Sequence, residues 1–429
     1  MSRLPPLEST SPLDWKYLAE GGANLVLSYS GSQPLYDGRV LRLRKRKKLQ
    51  HTTIAGQADL DFAKEIIEPL LGKDQVAEME LVQLDRDWLR ELSEVLVKRG
   101  SRSKEREEED EIDLEGQFGV IAEDLVGGGG GIQGVIAFEI KPKWGFLPSP
   151  IHLSSSTSSI KTTYCRFCMH RYYRTNSINE HEEGYCPLDL YSGDSMRVRK
   201  AVDSLFSIWE TSQGEANNFR IFMNGQAIRP TDSSAVASTF DLISSYIETP
   251  ERDCSLRSIV TSLVVPALLS SPLLSTLSHL QSSLDSLDIE GLASLISSRS
   301  TIDLYNPSGD LTPLGSQPSI EEWRSFLTSL QTSSPLDLRQ SILSFLLSAT
   351  FKDCSIIVRF EQDRETKEIK TKVVAIDLDP KPIKKLGKWL ELDQEIVKSW
   401  KRMLDELSDE ERQGLRKCSN RTSSGGSIR

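Results

Sequence analysis

The sequence predicts an α+β fold built as two lobes, and three observations carry that reading. With 429 residues, the chain exceeds what one small hydrophobic core usually accommodates, so two lobes with a cleft between them are expected. Short alternating or apolar runs broken by glycine turns fill the first third and recur at 134–141, 219–223 and 355–377, the pattern of antiparallel sheet. From Cys254 to Leu347 the chain is rich in serine and leucine at helical spacing, which supplies a helical wall without chemistry of its own.

Residues 14–28 read as strand, turn and strand, with Glu20-Gly21-Gly22-Ala23-Asn24 as the turn. Residues 39–44 alternate, so Leu41 and Leu43 pack while Arg42 and Arg44 share the other face. A helix over 57–71, ended or kinked by Pro69, is expected to pack on that sheet. The charged stretch 98–115 reads as solvated loop, and 120–126 as a short strand. The N-terminal lobe then spans 1–126, a glycine-rich joint 127–133, the second lobe 134–416, and a disordered tail 417–429.

In the second lobe, 134–141 alternates, with Ile136, Phe138 and Ile140 opposite Val135, Ala137, Glu139 and Lys141. A serine-rich loop follows at 153–161, then a helix over 196–209 and a strand over 219–223. The helical spacing, as at 320–330 and 336–347, is interrupted by a loop at 305–318, and a hairpin is expected from 355–360 and 369–377 around the charged turn 361–368. Ile396, Val397, Trp400, Met403, Leu404 and Leu407 form the apolar stripe of a closing helix.

A formal net charge of −10 argues against general nucleic-acid binding, which requires a basic face. No apolar run is long enough to span a bilayer, and the first residues lack a signal-peptide layout, so a soluble intracellular chain is expected. The six cysteines then read as reduced thiols. Cys165 and Cys168, with His170, His181 and Cys186 nearby, raise zinc through a Cys165–Cys168–His181–Cys186 set. The segment lacks the glycine knuckles and second paired motif of common zinc modules, and cysteines packed in a helical core are the preferred reading.

Three segments carry candidate chemistry. The glycine turn would let backbone N–H groups approach phosphate oxygens, with Arg42 one strand later; an ordinary hairpin and an exposed arginine are the plainer alternatives. If the strand runs on to Lys143, Glu139, Lys141 and Lys143 fall on one of its faces, and adjacent lysines repel unless an anion separates them; a solvated edge strand is the alternative. Strand pairing would gather Asp353, Asp377 and Asp379 at one end of the late hairpin, beside Lys381, Lys384 and Lys385. Such a rim suits a magnesium nucleotide: carboxylates hold the cation and another takes the proton of an attacking hydroxyl.

Taken together, EGGANLV (20–26), EIKPKWGFLP (139–148), RFCMH (166–170), YCPLDLYSG (185–193), NNFRIFMNG (217–225), DCS (353–355) and IDLDPKP (376–382) resemble the inositol-pentakisphosphate 2-kinase family, in order and over nearly the whole chain. The resemblance implies a two-lobed inositol-phosphate kinase fold distantly related to protein kinases, and transfer of the γ-phosphoryl of ATP to the 2-hydroxyl of inositol 1,3,4,5,6-pentakisphosphate. It implies Gly21, Gly22, Asn24, Arg42 and Glu139 at the nucleotide, Asp353 as general base, and Asp377 with Asp379 at Mg²⁺. Lys141, Lys143, Arg174, Asn217, Asn218, Arg220, Lys381 and Lys385 are implied at the substrate. A monomer in the nucleus and/or cytoplasm is expected.

Departures accompany the likeness. Arg174 stands where a lysine is expected, and Lys385 and Trp389 stand where plant members have arginine and tyrosine. The zinc site of plant members has no counterpart, since 279–351 holds no Cys or His beyond His279. Two other classes remain open: a non-catalytic inositol-phosphate scaffold, which would have no use for the aspartate rim, and a zinc-dependent interaction module.

Overall fold

The computed structural model describes residues 4–22, 24–47, 60–128, 134–178, 184–247, 254–300, 302–305, 314–332, 335–363 and 366–419. Ala23, Lys48, 57–59, most of the glycine joint, His181, much of the 305–318 loop, 364–365 of the charged turn and 420–429 lie outside the described residues.

The strands are β1 (Trp15–Glu20), β2 (Asn24–Tyr29), β3 (Arg39–Lys47), β4 (Met79–Gln83), β5 (Asp110–Ile112), β6 (Phe118–Glu123), β7 (Ile136–Ile140), β8 (Phe219–Met223), β9 (Gln226–Ile228), β10 (Ser355–Gln362) and β11 (Ile369–Ile376). The principal helices are α1 (Arg86–Lys98), α2 (Arg166–Thr175), α3 (Ser195–Thr211), α4 (Ser233–Ser245), α5 (Leu256–Ser270), α6 (Leu273–Leu284), α7 (Asp288–Arg299), α8 (Ile320–Leu330), α9 (Leu338–Lys352) and α10 (Leu386–Glu406). Among the described residues, no single helix is long and apolar enough to cross a membrane. The chain divides into two compact units. The first comprises Met1–Phe138, Ile221–Glu248 and Ile357–Val374, and the second comprises Glu139–Arg220, Thr249–Ile356 and Ala375–Arg429.

In the first unit, one sheet runs β1-β2-β3-β6-β4, with β5 also paired to β3. The register sets Leu25 beside Leu43, Leu27 beside Leu41, and Leu41 beside Ile121, so period-2 alternation gathers these apolar side chains on one face. That face buries Trp15, whose ring centroid lies 4.9 Å from Tyr29, 5.6 Å from Tyr36 and 6.5 Å from Trp88. Trp88, Leu89, Leu92 and Leu96 of α1 complete this core, and Asp85 caps the helix by accepting from the Trp88 N–H at 2.8 Å. The sequence reading did not contain α1. The expected 57–71 helix is partly a wide π turn, Ala63–Ile67, before Glu68–Leu71, and it stops at Gly72 with φ +93°.

The stretch 98–115 is not solvated loop throughout, which corrects the reading above. It holds a short helix, Lys104–Glu109, and β5, because its charges find partners. Lys45 Nζ lies 3.0 Å from Glu20 and 2.9 Å from Asp110, and Arg102 lies 2.7 Å from Glu20 and also bonds Asp110. The four side chains are 2–7 % exposed. Burying two cations with two carboxylates offsets a desolvation cost that none could meet alone. The quartet ties Glu20, the residue before the glycine turn, to β3 and β5.

The second sheet has the order β11-β10-β7-β8-β9, and the division between units falls within β7, β8, β10 and β11. β7 is central, so all five of its residues are buried, Glu139 included; the half-buried alternation expected from sequence is thereby corrected. The β8–β9 turn is Asn224-Gly225, both with positive φ, the two-residue turn that suits strand twist.

In the second unit, α3 covers 195–211, with Val198, Val202, Leu205 and Trp209 buried as their spacing predicts. The stripe of α10 packs Ile396, Val397, Trp400 and Met403 against Ile160, Tyr164 and Met169.

Candidate active site

Asp353 closes α9, a helix started by a capping box on Asp337 and buried along most of its length. A helix C-terminus carries partial negative charge, so a carboxylate there needs cations beside it. Lys381 Nζ lies 2.8 Å from Asp353 Oδ2, and Lys143 Nζ lies 3.3 Å from Oδ1. Burial pushes the Asp353 carboxyl up, but Lys381 and Lys143 outweigh it and hold the group below the usual carboxylate range. Two of the cations expected from sequence therefore meet the expected base.

Lys143 owes its place to a backbone clamp. It holds φ +63°, a left-handed conformation that a non-glycine residue keeps only when its surroundings fix it. Lys141 N–H donates to Asn218 O at 3.0 Å, and Tyr185 Oη donates to Pro142 O at 2.8 Å. Lys143 O accepts from Gln281 Nε2 at 3.1 Å and from Tyr191 Oη at 3.4 Å. Gly145 N–H donates to Gln281 Oε1 at 2.7 Å, and Gln281 Nε2 also reaches Phe351 O at 2.9 Å. Gln281 thus joins the lysine loop to the end of α9. Glycine is required at 145, where a Cβ would stand 2.6 Å from the Tyr191 ring. The helical wall is not without a role in the site, because Gln281 belongs to α6; that corrects the sequence reading.

Glu139 is held from two sides: Ser355 Oγ donates to its Oε1 at 2.8 Å, and Arg220 Nη1 lies 3.7 Å from its Oε2. Ser355 Oγ is also 3.5 Å from Asp377 Oδ2. Asp377 is exposed, with φ +60°, and Asp379 is half-buried, its backbone carbonyl accepting from Thr350 Oγ1. Carboxylate oxygens of this kind are hard donors, and a pair of them suits Mg²⁺, which takes one or two carboxylates and fills its shell with water and phosphate.

Arg174 is exposed in the last turn of α2. One turn earlier, burial and then the charges of Arg166, Arg174 and Lys143 push His170 down to about 4, so these cations share one electrostatic neighbourhood. Asn217 is exposed, and the buried Nδ2 of Asn218 has no hydrogen-bond partner among the described residues, a donor turned to no protein group. Lys385 is exposed in the short turn Ile383–Lys385, and Gln317 holds the Lys381 carbonyl at 3.1 Å.

Behind the site, buried Lys352 pairs with Asp285 and sits 4.2 Å from the Trp144 ring centroid. Arg166 lies 5.2 Å from the same ring and is fixed by Asp393 at 2.9 Å. Sequence reasoning gave no role to Gln281, Lys352 or Asp285. Only the position of Lys352 beside Asp353 offered a signal.

Gly21, Gly22, Asn24 and Arg42 belong to the first unit. Gly21 N–H donates to Asn24 O at 2.9 Å, closing the β1–β2 turn, and Arg106 Nη1 reaches Gly21 O at 3.4 Å. Among the described residues, a Cβ on Gly21 or Gly22 would meet nothing within 4 Å, and neither φ is left-handed, so no contact described there requires glycine. Arg42 pairs in register with Val26 and Val120.

The family profile described as inositol-pentakisphosphate 2-kinase matches residues 17–395. The chain is similar to the inositol-pentakisphosphate 2-kinase of Cryptococcus neoformans, 34% identical over 92% of this chain and 95% of the relative. It is 29% identical to that of Arabidopsis thaliana, again over 92% and 95%. To the Danio rerio enzyme it is 32% identical over 52% of this chain and 45% of the relative.

Proposed function

Because this chain belongs to the inositol-pentakisphosphate 2-kinase family, we propose that it transfers the γ-phosphoryl of ATP to the 2-hydroxyl of inositol 1,3,4,5,6-pentakisphosphate, giving inositol hexakisphosphate. The observation that supports this reading most is the Asp353 carboxylate between Lys143 and Lys381. A carboxylate held between two ammonium groups is a proton acceptor surrounded by phosphate ligands, which is what a hydroxyl nucleophile on a polyanionic ring needs.

Lys143 and Lys381 bind the ring phosphates that flank the reacting hydroxyl. Lys141, Arg174, Asn218, Arg220 and Lys385 take others, and Asn217 shapes the pocket. Lys381 and Lys143 hold Asp353 below the usual carboxylate range against the effect of burial, so it is ionised and ready to accept at neutral pH. In a loose phosphoryl-transfer transition state the proton leaves late, and a weakly basic carboxylate at Oδ suffices for it. As substrate phosphates draw the two lysines, the carboxylate is released toward the 2-hydroxyl. Gly21, Gly22, Asn24 and Arg42 take the nucleotide phosphates, and Glu139, through Ser355, steadies Asp377. Mg²⁺ held by Asp377 and Asp379 would neutralise charge on the nucleotide phosphates.

The test is to incubate purified protein with Mg-ATP and the pentakisphosphate and to quantify inositol phosphates by ion chromatography. Hexakisphosphate should form, and Asp353→Asn should lower kcat by roughly 10²–10⁴ with KM unchanged or reduced, since the lysines lose a competing anion. Wild-type kcat in the asparagine variant would refute the base assignment, and tight Mg-ATP-independent binding without turnover would leave the scaffold reading in its place.

A further inference from the structure

Lys352, the residue before the proposed base, is a lysine shut away from solvent. It closes α9 at 4 % exposure, and its ammonium pairs with Asp285, itself 3 % exposed. Three rings stand around that pair: Lys352 Nζ lies 4.2 Å from the Trp144 ring centroid, 5.0 Å from that of Phe345 and 5.2 Å from that of Phe146. Lysine is seldom fully buried, and a buried ion pair can be exchanged for apolar side chains with little loss of stability. Stability alone is therefore a weak reason for these charges, and their placement supplies a better one.

Trp144 directly follows Lys143, and of the three rings it alone is half-buried. A second cation meets the same ring: the Arg166 guanidinium lies 5.2 Å from its centroid and is backed by Asp393 at 2.9 Å. Asp393 also takes Lys161 at 2.8 Å, which bonds Asp288 at 2.5 Å and lies 3.8 Å from Glu290. Both cations on the indole are thus fixed from behind by buried aspartates. A cation within about 6 Å of an indole face is attracted to it, more strongly where water is excluded. The ring is set by α9 from one side chain and by α2 from another. Lys143, its neighbour in the chain, carries the left-handed φ of +63° that such anchoring has to maintain.

We propose that Lys352 is a positioning residue for phosphoryl transfer: its buried ammonium, together with Arg166, holds the Trp144 ring, and the backbone between Trp144 and Lys143 passes that constraint to the Lys143 ammonium beside Asp353. Lys352 touches no reacting group and acts through the ring. Burial pulls its ammonium below the usual lysine range, and Asp285 opposes that pull, which gives the acid its part. The proposal rests on the reading of Lys143 as a ligand for the pentakisphosphate beside the base.

The test compares Trp144→Phe, Trp144→Leu and the pair variant Lys352→Met/Asp285→Asn, which removes both ions so that no unmatched charge stays buried. Steady-state kinetics give KM for each substrate, and calorimetry gives pentakisphosphate affinity without turnover. Trp144→Leu should raise KM for the pentakisphosphate, and weaken its binding, by about 10-fold, with KM for ATP unchanged. Trp144→Phe keeps a π face and should recover most of that loss. The pair variant should lose a similar factor, and adding Trp144→Leu to it should cost less than the product of the two, since both act on one contact. Wild-type KM in Trp144→Leu, independent multiplication of the two losses, or a phenylalanine variant as impaired as the leucine one overturns the proposal. If the pair variant does not fold, the two Trp144 variants decide. A wild-type chain that binds the pentakisphosphate without phosphorylating it overturns the kinase reading and leaves this one to the affinities, whereas a wild type that binds none overturns both.

Discussion

Replacing Gln281 with leucine isolates the clamp that joins Lys143 to Asp353. Gln281 is fully buried; its carbonyl accepts from Gly145 N–H at 2.7 Å, and its amide nitrogen serves Lys143 O, Phe351 O and Tyr191 Oη at 3.1, 2.9 and 3.2 Å. Leucine nearly preserves the volume but strands Gly145 N–H and Phe351 O in the interior. Lys143 O keeps Tyr191. Two orphaned groups cost about 1–3 kcal/mol each, and the added apolar burial returns about 1–2 kcal/mol, for a net loss of up to about 5 kcal/mol, centred near about 2–3 kcal/mol. At about 2–4 °C per kcal/mol for a unit of this size, the thermal midpoint should fall by several degrees in differential scanning fluorimetry. Misplacing Lys143 by a fraction of an ångström should also lower kcat by about 10–100-fold. A Gln281→Leu protein with both the wild-type midpoint and the wild-type kcat would refute the argument. Gln281→Glu supplies a second reading: burial raises the new carboxyl, so its stability should recover as pH falls and the group becomes a donor again.

Two glycines should respond in opposite ways to alanine. Gly145→Ala forces a Cβ into the Tyr191 ring and should lower stability by about 1–3 kcal/mol, visible as a lower urea midpoint. Gly21→Ala meets no atom of the described residues within 4 Å and should leave that midpoint within about 0.5 kcal/mol of wild type, yet raise KM for ATP if the turn receives phosphates. Because His170 is pushed down to about 4, the folded state does not bind the proton that the unfolded imidazole takes up near 6.5. Stability should therefore be fully present above about pH 6.5 and decline as pH falls toward about 4. His170→Gln should flatten that window in thermal melts across pH, and an unchanged slope would show that another group titrates there.

The first three strands of the first unit and the late hairpin were legible because Leu25, Leu27, Leu41 and Leu43 alternate and because Gly21-Gly22 interrupts the run, whereas β4, β5 and the strand order were not. The helices at 195–211 and 320–330 were legible from spacing alone. α1 was not, although Trp88, Leu89, Leu92 and Leu96 repeat at helical intervals: the charges among them masked the stripe, and a tryptophan core revealed which face mattered. At the site, Lys143, Asp353 and Lys381 were legible as residue types in motifs, and the structure brings them within ion-pair distance. Gln281 was not, since an isolated glutamine in a serine- and leucine-rich helix carries no local signature and acquires meaning only from carbonyls far away in sequence. The contact of Cys418 with Cys186 was missed for the same reason, the two lying 232 residues apart.

The quartet of Glu20, Lys45, Arg102 and Asp110 bears on how this chain can drift. Its charges sum to zero, and Lys45 and Arg102 hold both carboxylates ionised against the effect of burial. Losing one member leaves an unmatched ion at a cost of about 3–5 kcal/mol, whereas removing an opposite pair together does not. Substitution at these four positions is therefore expected to be concerted, so that relatives either keep the whole set or exchange it in balanced pairs. Positions 21 and 22 stand outside the quartet, and a Cβ added at either would meet no atom of the described residues within 4 Å, so substitution there is free of that constraint.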